Sequence, residues 1–209
     1  MRHNQGVSTT PREKMIVSAA LLMRERGVGA TSFSEVIQRS GAPRGSIYHH
    51  FPGGKAQLIE AATRYAGDFT AAGLLAALRH DDPVRAVHEF TQTWTKILRQ
   101  SDFGAGCPVV AATLEGERSP LARAAAGAAF AQWESLIAQA LAPYTTSARA
   151  RSIATLFITA IEGAVIIARA QRSTAPLQRV AAELEQTLRQ AIAEGPASTR
   201  AAPAALDAG

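Results

Sequence analysis

The chain has 209 residues, 47% of them hydrophobic and only 6% aromatic, so it suits one compact domain or a small domain joined to a larger one, with Ala, Leu, Ile and Val filling most of the core. A single cysteine excludes an internal disulfide framework and any multi-cysteine zinc or iron–sulfur site. The net charge of +5 is uneven: residues 1–60 carry eight Lys/Arg and four Asp/Glu (net +4), whereas residues 61–209 carry fourteen and thirteen (net +1), so the first quarter is the expected contact for an anionic partner.

Nearly every segment repeats its apolar residues with helical period, so the expected fold is all-α with about nine helices. Thr10-Pro11-Arg12-Glu13 is a capping box with Pro at the first helical position, and Gly27 stops that helix. Ser32-Phe33-Ser34-Glu35 is a second capping box, opening a short helix that ends at Gly41. A third helix runs from Arg44 to about Phe51, Pro52-Gly53-Gly54 breaks it, and a long helix follows from Lys55 to about Arg79. Asp82-Pro83 caps the next, and Ser101–Gly106 is a loop. Pro108 starts a short helix ending near Gly116, and Ser119-Pro120 starts another that Pro143 ends. Two more are expected, from about residue 147 to 171 and from Pro176 to about Ala193. Ile153–Ala168 is the most apolar run, but it contains Glu162 and stops at Arg169, so it reads as a helix buried in protein and no membrane partner is expected. The lone cysteine, and an N-terminus without the apolar core of a secretory signal, make the cytoplasm the expected location.

Ser34–Phe51 joins two short helices by a tight turn with Gly41 just past the first, which is helix-turn-helix spacing. Such a unit lays its second helix in the major groove of DNA. Ile47 and Phe51, four residues apart, can pack inward and leave Arg44, Ser46, Tyr48 and His49 directed elsewhere. Arg44 can reach guanine O6 and N7 as a two-donor fork, and Ser46 can bond to base or phosphate. Gly45 removes a side chain where backbone must approach DNA, and Tyr48 and His49 offer donors to phosphate oxygens. Lys55 opens the following helix, whose amides and dipole also favour a phosphate. With Ser34 in the capping box of the preceding helix and Pro43 in the turn, these residues form the expected DNA-contacting set.

At these residues the sequence resembles the N-terminal domain of TetR-family transcriptional regulators. The likeness rests on the capped first helix, the Gly-containing turn, Gly45-Ser-Ile-Tyr-His-His-Phe51 and a lysine shortly after the Phe, and spans residues 10–65. Ala42-Pro-Arg-Gly-Ser-Ile-Tyr-His-His-Phe-Pro-Gly-Gly-Lys55, with Gly106-Cys107-Pro108-Val109 later, is similar to the LmrA/YxaF-like branch. Two departures are Ile37, where the family usually has a small Ala, and Lys55, which falls one residue later than usual. The resemblance implies a ligand-responsive homodimeric repressor bound to a palindromic double-stranded DNA operator, with no cofactor, no metal and no enzymatic activity. It implies a helix-turn-helix domain (10–54) and a ligand-binding and dimerisation domain (55–194); residues 1–9, and 195–209 with their Pro/Ala/Ser bias, are expected to be a disordered N-terminal arm and a disordered tail.

The last helix carries Leu177, Val180, Leu184 and Leu188 on one face, and the one before it is apolar nearly all round, including Ile158 and Val165. Pairing both with their copies gives the four-helix dimer seam that the resemblance implies. Trp94, Leu98, Val110, Leu114, Phe130, Trp133, Ile137, Phe157 and Ile161 are candidate walls of a pocket for a small hydrophobic or aromatic effector. Glu162 is a candidate polar group in that pocket, because a carboxylate in an apolar helix needs a ligand, a core arginine or the dimer axis, where Gly163 permits close approach. Cys107, without a second cysteine, is expected as a small packed residue. An all-α enzyme is a rival reading, but no metal-spaced cluster, nucleophile–base pair or phosphate loop supports it. A nonspecific architectural DNA-binding protein is another, but it would spread basic charge beyond residue 60.

Overall fold

The computed structural model describes residues 10–80, 82–114 and 119–195, so the expected tails, apart from Gly195, lie outside the described residues. Nine α-helices and no strand are found among the described residues: α1 (Pro11–Arg26), α2 (Phe33–Ser40), α3 (Ser46–His50), α4 (Gly54–Ala77), α5 (Pro83–Gln100), α6 (Pro108–Thr113), α7 (Pro120–Leu141), α8 (Ser147–Gln171) and α9 (Ala175–Glu194). Both capping boxes form. The Thr10 hydroxyl accepts from the Glu13 amide and the Glu13 carboxylate accepts from the Thr10 amide, and Ser32 and Glu35 repeat the exchange at α2. Asp82 caps α5 by accepting from the amides of Val84 and Arg85.

Two boundaries differ from those expected. Arg44 and Gly45 lie in a turn closed by the Ser46 amide on the Pro43 carbonyl, 3.0 Å, so α3 begins only at Ser46. Its N-cap position is Gly45, which has no side chain to hold a first turn, and no side-chain cap forms. The short helix α6 ends at Thr113 rather than near Gly116.

The scarcity of aromatics shapes the packing. Helix α4 meets α7 where Gly67 lies opposite Ala129, and Ala122, Ala125, Ala126 and Ala129 of α7 are all buried. Small side chains let the backbones approach closely and so recover dispersion energy that bulk would otherwise supply. Helix α8 is long and apolar enough to cross a membrane by length and composition alone, but its Ile153, Phe157, Ile161, Val165 and Ala168 face is buried, with α7 and α9 packed along it.

Much of the apolar face expected at the dimer seam is covered within the chain. Leu177, Leu184 and Leu188 are buried against α5 and α8 of the same chain, as is Val165 on α8, and Val180 and Ile158 are half-buried. The periodicity identified a face that must leave water, and the chain's own domain covers it. What α8 leaves exposed is a different strip, with Leu156, Thr159, Ile166 and Ile167 outward and half-buried Gly163 between them.

Candidate nucleic-acid interface and ligand cavity

Helices α2 and α3 are held to α1 by charge and by packing. Arg39 forks onto the Glu25 carboxylate with two bonds of 2.7 Å, and Arg26 bonds Glu35 at 2.6 Å. The Arg39 guanidinium holds the Glu25 carboxyl below the usual carboxylate range, and Glu35 is held down first by the hydroxyl and amide of Ser32. Ile47 and Phe51 are buried, and the Arg12 guanidinium stands 5.3 Å from the Phe51 ring centre. Gly41 turns the chain between α2 and α3 with φ +67°, a left-handed conformation that favours glycine.

The outward residues of this unit are Ser34, Pro43, Arg44, Gly45, Tyr48, His49 and Lys55, while Ser46 is half-buried. Because Arg26 and Arg39 are neutralised within the unit, Arg44 stands out: no hydrogen bond or ion pair engages it among the described residues. Tyr48 is 67% exposed, and its ring is set edge-on to Phe33 at 5.6 Å, which orients the hydroxyl away from the core. Gly45 has φ −77°, so it needs no left-handed freedom, and nothing in the chain lies within 4 Å of where a Cβ would stand. Two expected contacts have partners within the chain: Ser46 donates to the Pro43 carbonyl at 2.6 Å, and Lys55 Nζ donates to the Gly29 carbonyl at 3.1 Å. His50 is half-buried against His49.

The predicted pocket residues do not line one cavity. A cavity of about 370 Å³ opens between α1, α4 and α5, and of the ten predicted residues only Trp94 lines it. Its main walls are Tyr65, Phe69, Phe90, Ile97 and Leu21, none of them among the predicted pocket residues; Tyr65 and Phe69 read as one more i, i+4 pair on a long helix. Leu98, Trp133 and Ile161 are core residues, and Phe130 packs edge-on against Trp133 at 5.2 Å. Ile137 and Phe157 border only a gap of about 30 Å³, far smaller than the cavity. Val110, Leu114 and Glu162 border a separate recess of about 510 Å³ beside the end of α1, where Leu114 is 80% exposed.

Glu162 is half-buried, its Oε2 sealed from water without a hydrogen-bond partner. Burial pushes its carboxyl up to about 7, and the neighbouring Cys107 thiol offsets this only in part. The Cys107 thiol is itself pushed well up by burial and then by the Glu162 carboxylate, so it is poorly disposed to form the reactive thiolate. No group of three or more His, Cys, Asp and Glu able to hold a metal occurs among the described residues.

Residues 16–62 match the bacterial regulatory proteins of the tetR family, and residues 83–183 match the C-terminal domain of LmrA/YxaF-like transcriptional regulators. The chain is 41% identical over 197 residues to an HTH-type transcriptional regulator of Mycobacterium tuberculosis, covering 91% of this chain and 98% of that one. It is 27% identical to the HTH-type transcriptional regulator LmrA of Bacillus subtilis, with 86% and 97% covered. The fold superposes on a TetR transcriptional regulator of Legionella pneumophila with a TM-score of 0.78 at 21% identity, over 88% and 99% of the chains.

Proposed function

We propose that this chain, a DNA-binding transcriptional regulator that belongs to the TetR family and its LmrA/YxaF-like branch, is a homodimeric cytoplasmic repressor that leaves its operator when an apolar molecule fills the cavity between α1, α4 and α5. One observation carries this reading: α1 belongs to both sites. Its Val17, Ala20, Leu21 and Arg24 line the cavity, while its Arg12 covers Phe51 and its Glu25 and Arg26 hold α2. A ligand that spreads α1 from α4 therefore moves the elements carrying Arg44 and Tyr48. Release requires only that the spread state bind the ligand better than the DNA-competent state does.

In this reading residues 10–54 form the DNA-binding unit and 55–194 the sensing and dimerising unit. Arg44 reads a base edge. Tyr48, His49 and Ser34 contact phosphates, and Lys55 joins them by exchanging its bond to the Gly29 carbonyl. The second copy covers the α8 strip of Leu156, Thr159, Gly163, Ile166 and Ile167, where a Cβ on Gly163 would meet nothing within 4 Å in its own chain. An exposed apolar strip of this kind on a soluble chain marks a contact surface. Selection of bound sequences from a random DNA pool with the full-length protein tests the reading. It expects a palindrome with half-site centres roughly one helical turn apart or a multiple of it. Enrichment of no motif, or of a single half-site, would overturn it.

A further inference from the structure

The cavity carries a charge as well as a shape. Its lining holds one cation, Arg24, and one acid, Glu89, and Glu89 is already bonded by Arg85 at 2.8 Å. Arg24 has neither an ion pair nor a hydrogen bond from its guanidinium among the described residues, and its Nε is sealed from water without an acceptor. The nearest alternatives are spoken for: Glu25 is forked by Arg39, and Glu162 leaves Oε2 unbonded rather than reaching Arg24. A second guanidinium, Arg169, stands close enough that its charge acts on Arg24, and its own Nε is also buried and unbonded. Arg24 feels only the Glu25 carboxylate at a distance, and that carboxylate is already bound by Arg39; Arg24 borders both the cavity and the recess beyond Gly106 and Cys107, whereas Arg169 borders the recess alone and donates to the Gly104 carbonyl at 3.0 Å.

We propose that the effector of the cavity is an amphiphilic anion, an aromatic or other apolar body that lies against Phe69, Phe90 and Trp94 and carries one anionic group, a carboxylate, sulfonate or phenolate, held by Arg24. This rests on the ligand-release reading above and adds the chemistry of the ligand. The guanidinium fork matches a planar carboxylate, and such a charge-assisted pair in a water-poor wall is stronger than a neutral one. The pair also has a direct mechanical consequence, because Arg24 precedes Glu25 and Arg26 in the last turn of α1, the residues that hold α2. An anion drawn to Arg24 acts on the helix from which the DNA-binding unit hangs.

Two fluorescent probes of nearly the same shape test this on the full chain: 8-anilino-1-naphthalenesulfonate and its neutral parent N-phenyl-1-naphthylamine. Arg24→Met, which keeps the stem and removes the charge, should weaken the sulfonate at least ten-fold and change the neutral probe less than two-fold. Equal weakening of both, or no loss for the sulfonate, would overturn the proposal. On the unmodified chain, 2-naphthoate should displace the neutral probe at a concentration at least ten-fold lower than 2-naphthamide does, and parity would overturn it without any substitution. Thr70→Trp, which fills the cavity, should abolish binding of both probes. If both still bind, the cavity is not the ligand site and the release reading falls with the proposal. If both are lost but naphthoate and naphthamide compete equally, only the anionic assignment falls.

Discussion

The indole of Trp133 on α7 donates to the carbonyl of Gly67 on α4 at 3.0 Å, and a Cβ on Gly67 would stand 2.8 Å from the Cβ of Ala129, one turn away on α7. The two helices are thus joined by a buried hydrogen bond beside their closest approach. Alanine at position 67 would gain about 1 kcal/mol of helix propensity, but the clash with Ala129 forces the helices apart, at about 1–3 kcal/mol. Gly67→Ala should therefore destabilise the chain, and Trp133→Phe should cost about 1 kcal/mol through the lost bond. Urea denaturation reads both, and a Gly67→Ala variant more stable than the parent would mean that the α4–α7 contact is looser than described.

In this pair Trp133 is a buried residue of the α4–α7 contact. A large apolar ring at helical spacing looks the same whether it faces a core or a ligand, and the distinction arises only when α4 closes over it. The cavity is formed where α1, α4 and α5 meet, so no local pattern connects Phe90 on α5 with the Tyr65–Phe69 pair on α4. By contrast, the helix starts were legible because capping is local: Thr10 with Glu13 and Ser32 with Glu35 satisfy amides within one turn. The exposed face of Arg44 and Tyr48 was legible for a related reason, since Ile47 and Phe51 alone had to be buried. The α9 leucines lie between these cases, because periodicity shows that a face is covered and not which chain covers it.

Arg44 and Tyr48 should separate reading from anchoring. Arg44→Ala is expected to erase the base preference at one position of each half-site, at about 1–3 kcal/mol, because the free guanidinium has no other partner to satisfy. Tyr48→Phe keeps the edge contact with Phe33 and loses one phosphate bond, so it should lower affinity for all sequences alike by about 1 kcal/mol. Binding to a panel of single-base operator variants distinguishes them. A uniform loss for Arg44→Ala would reassign that residue to the phosphate backbone.

Glu162 should make stability depend on pH. Its carboxyl is raised from 4.5 to about 7 by burial, so between those values the folded chain holds a proton that the unfolded chain has released. Stability from this group is present in full below about pH 4.5, declines as pH rises towards 7 and is lost above it, a change of up to about 3 kcal/mol. Glu162→Gln should remove this slope and gain most, relative to the parent, above pH 7. Chemical denaturation of both chains at pH 5 and pH 8 gives the comparison, in which other titrating groups cancel. Parallel curves for the two chains would show that the carboxylate finds solvent or a counter-charge when it ionises.

Substitutions on α8 and α9 should have opposite consequences for assembly and folding. Ile166 is 53% exposed and lies on the outer strip of α8, so Ile166→Arg leaves the monomer fold intact while placing a charge in the proposed seam. The expected result is a folded monomer with unchanged helical circular dichroism and much weaker operator binding, since each half-site contact is then made alone. Leu184 is 3% exposed and packed within its own chain, so Leu184→Glu buries an unpaired carboxylate and should cost several kcal/mol, about 3–5, in stability before any effect on association. Sedimentation velocity run beside thermal melts separates the two effects. A dimer that survives Ile166→Arg would show that the second copy covers another surface. A Leu184→Glu chain that melts like the parent but sediments as a monomer would restore the α9 leucines to the seam.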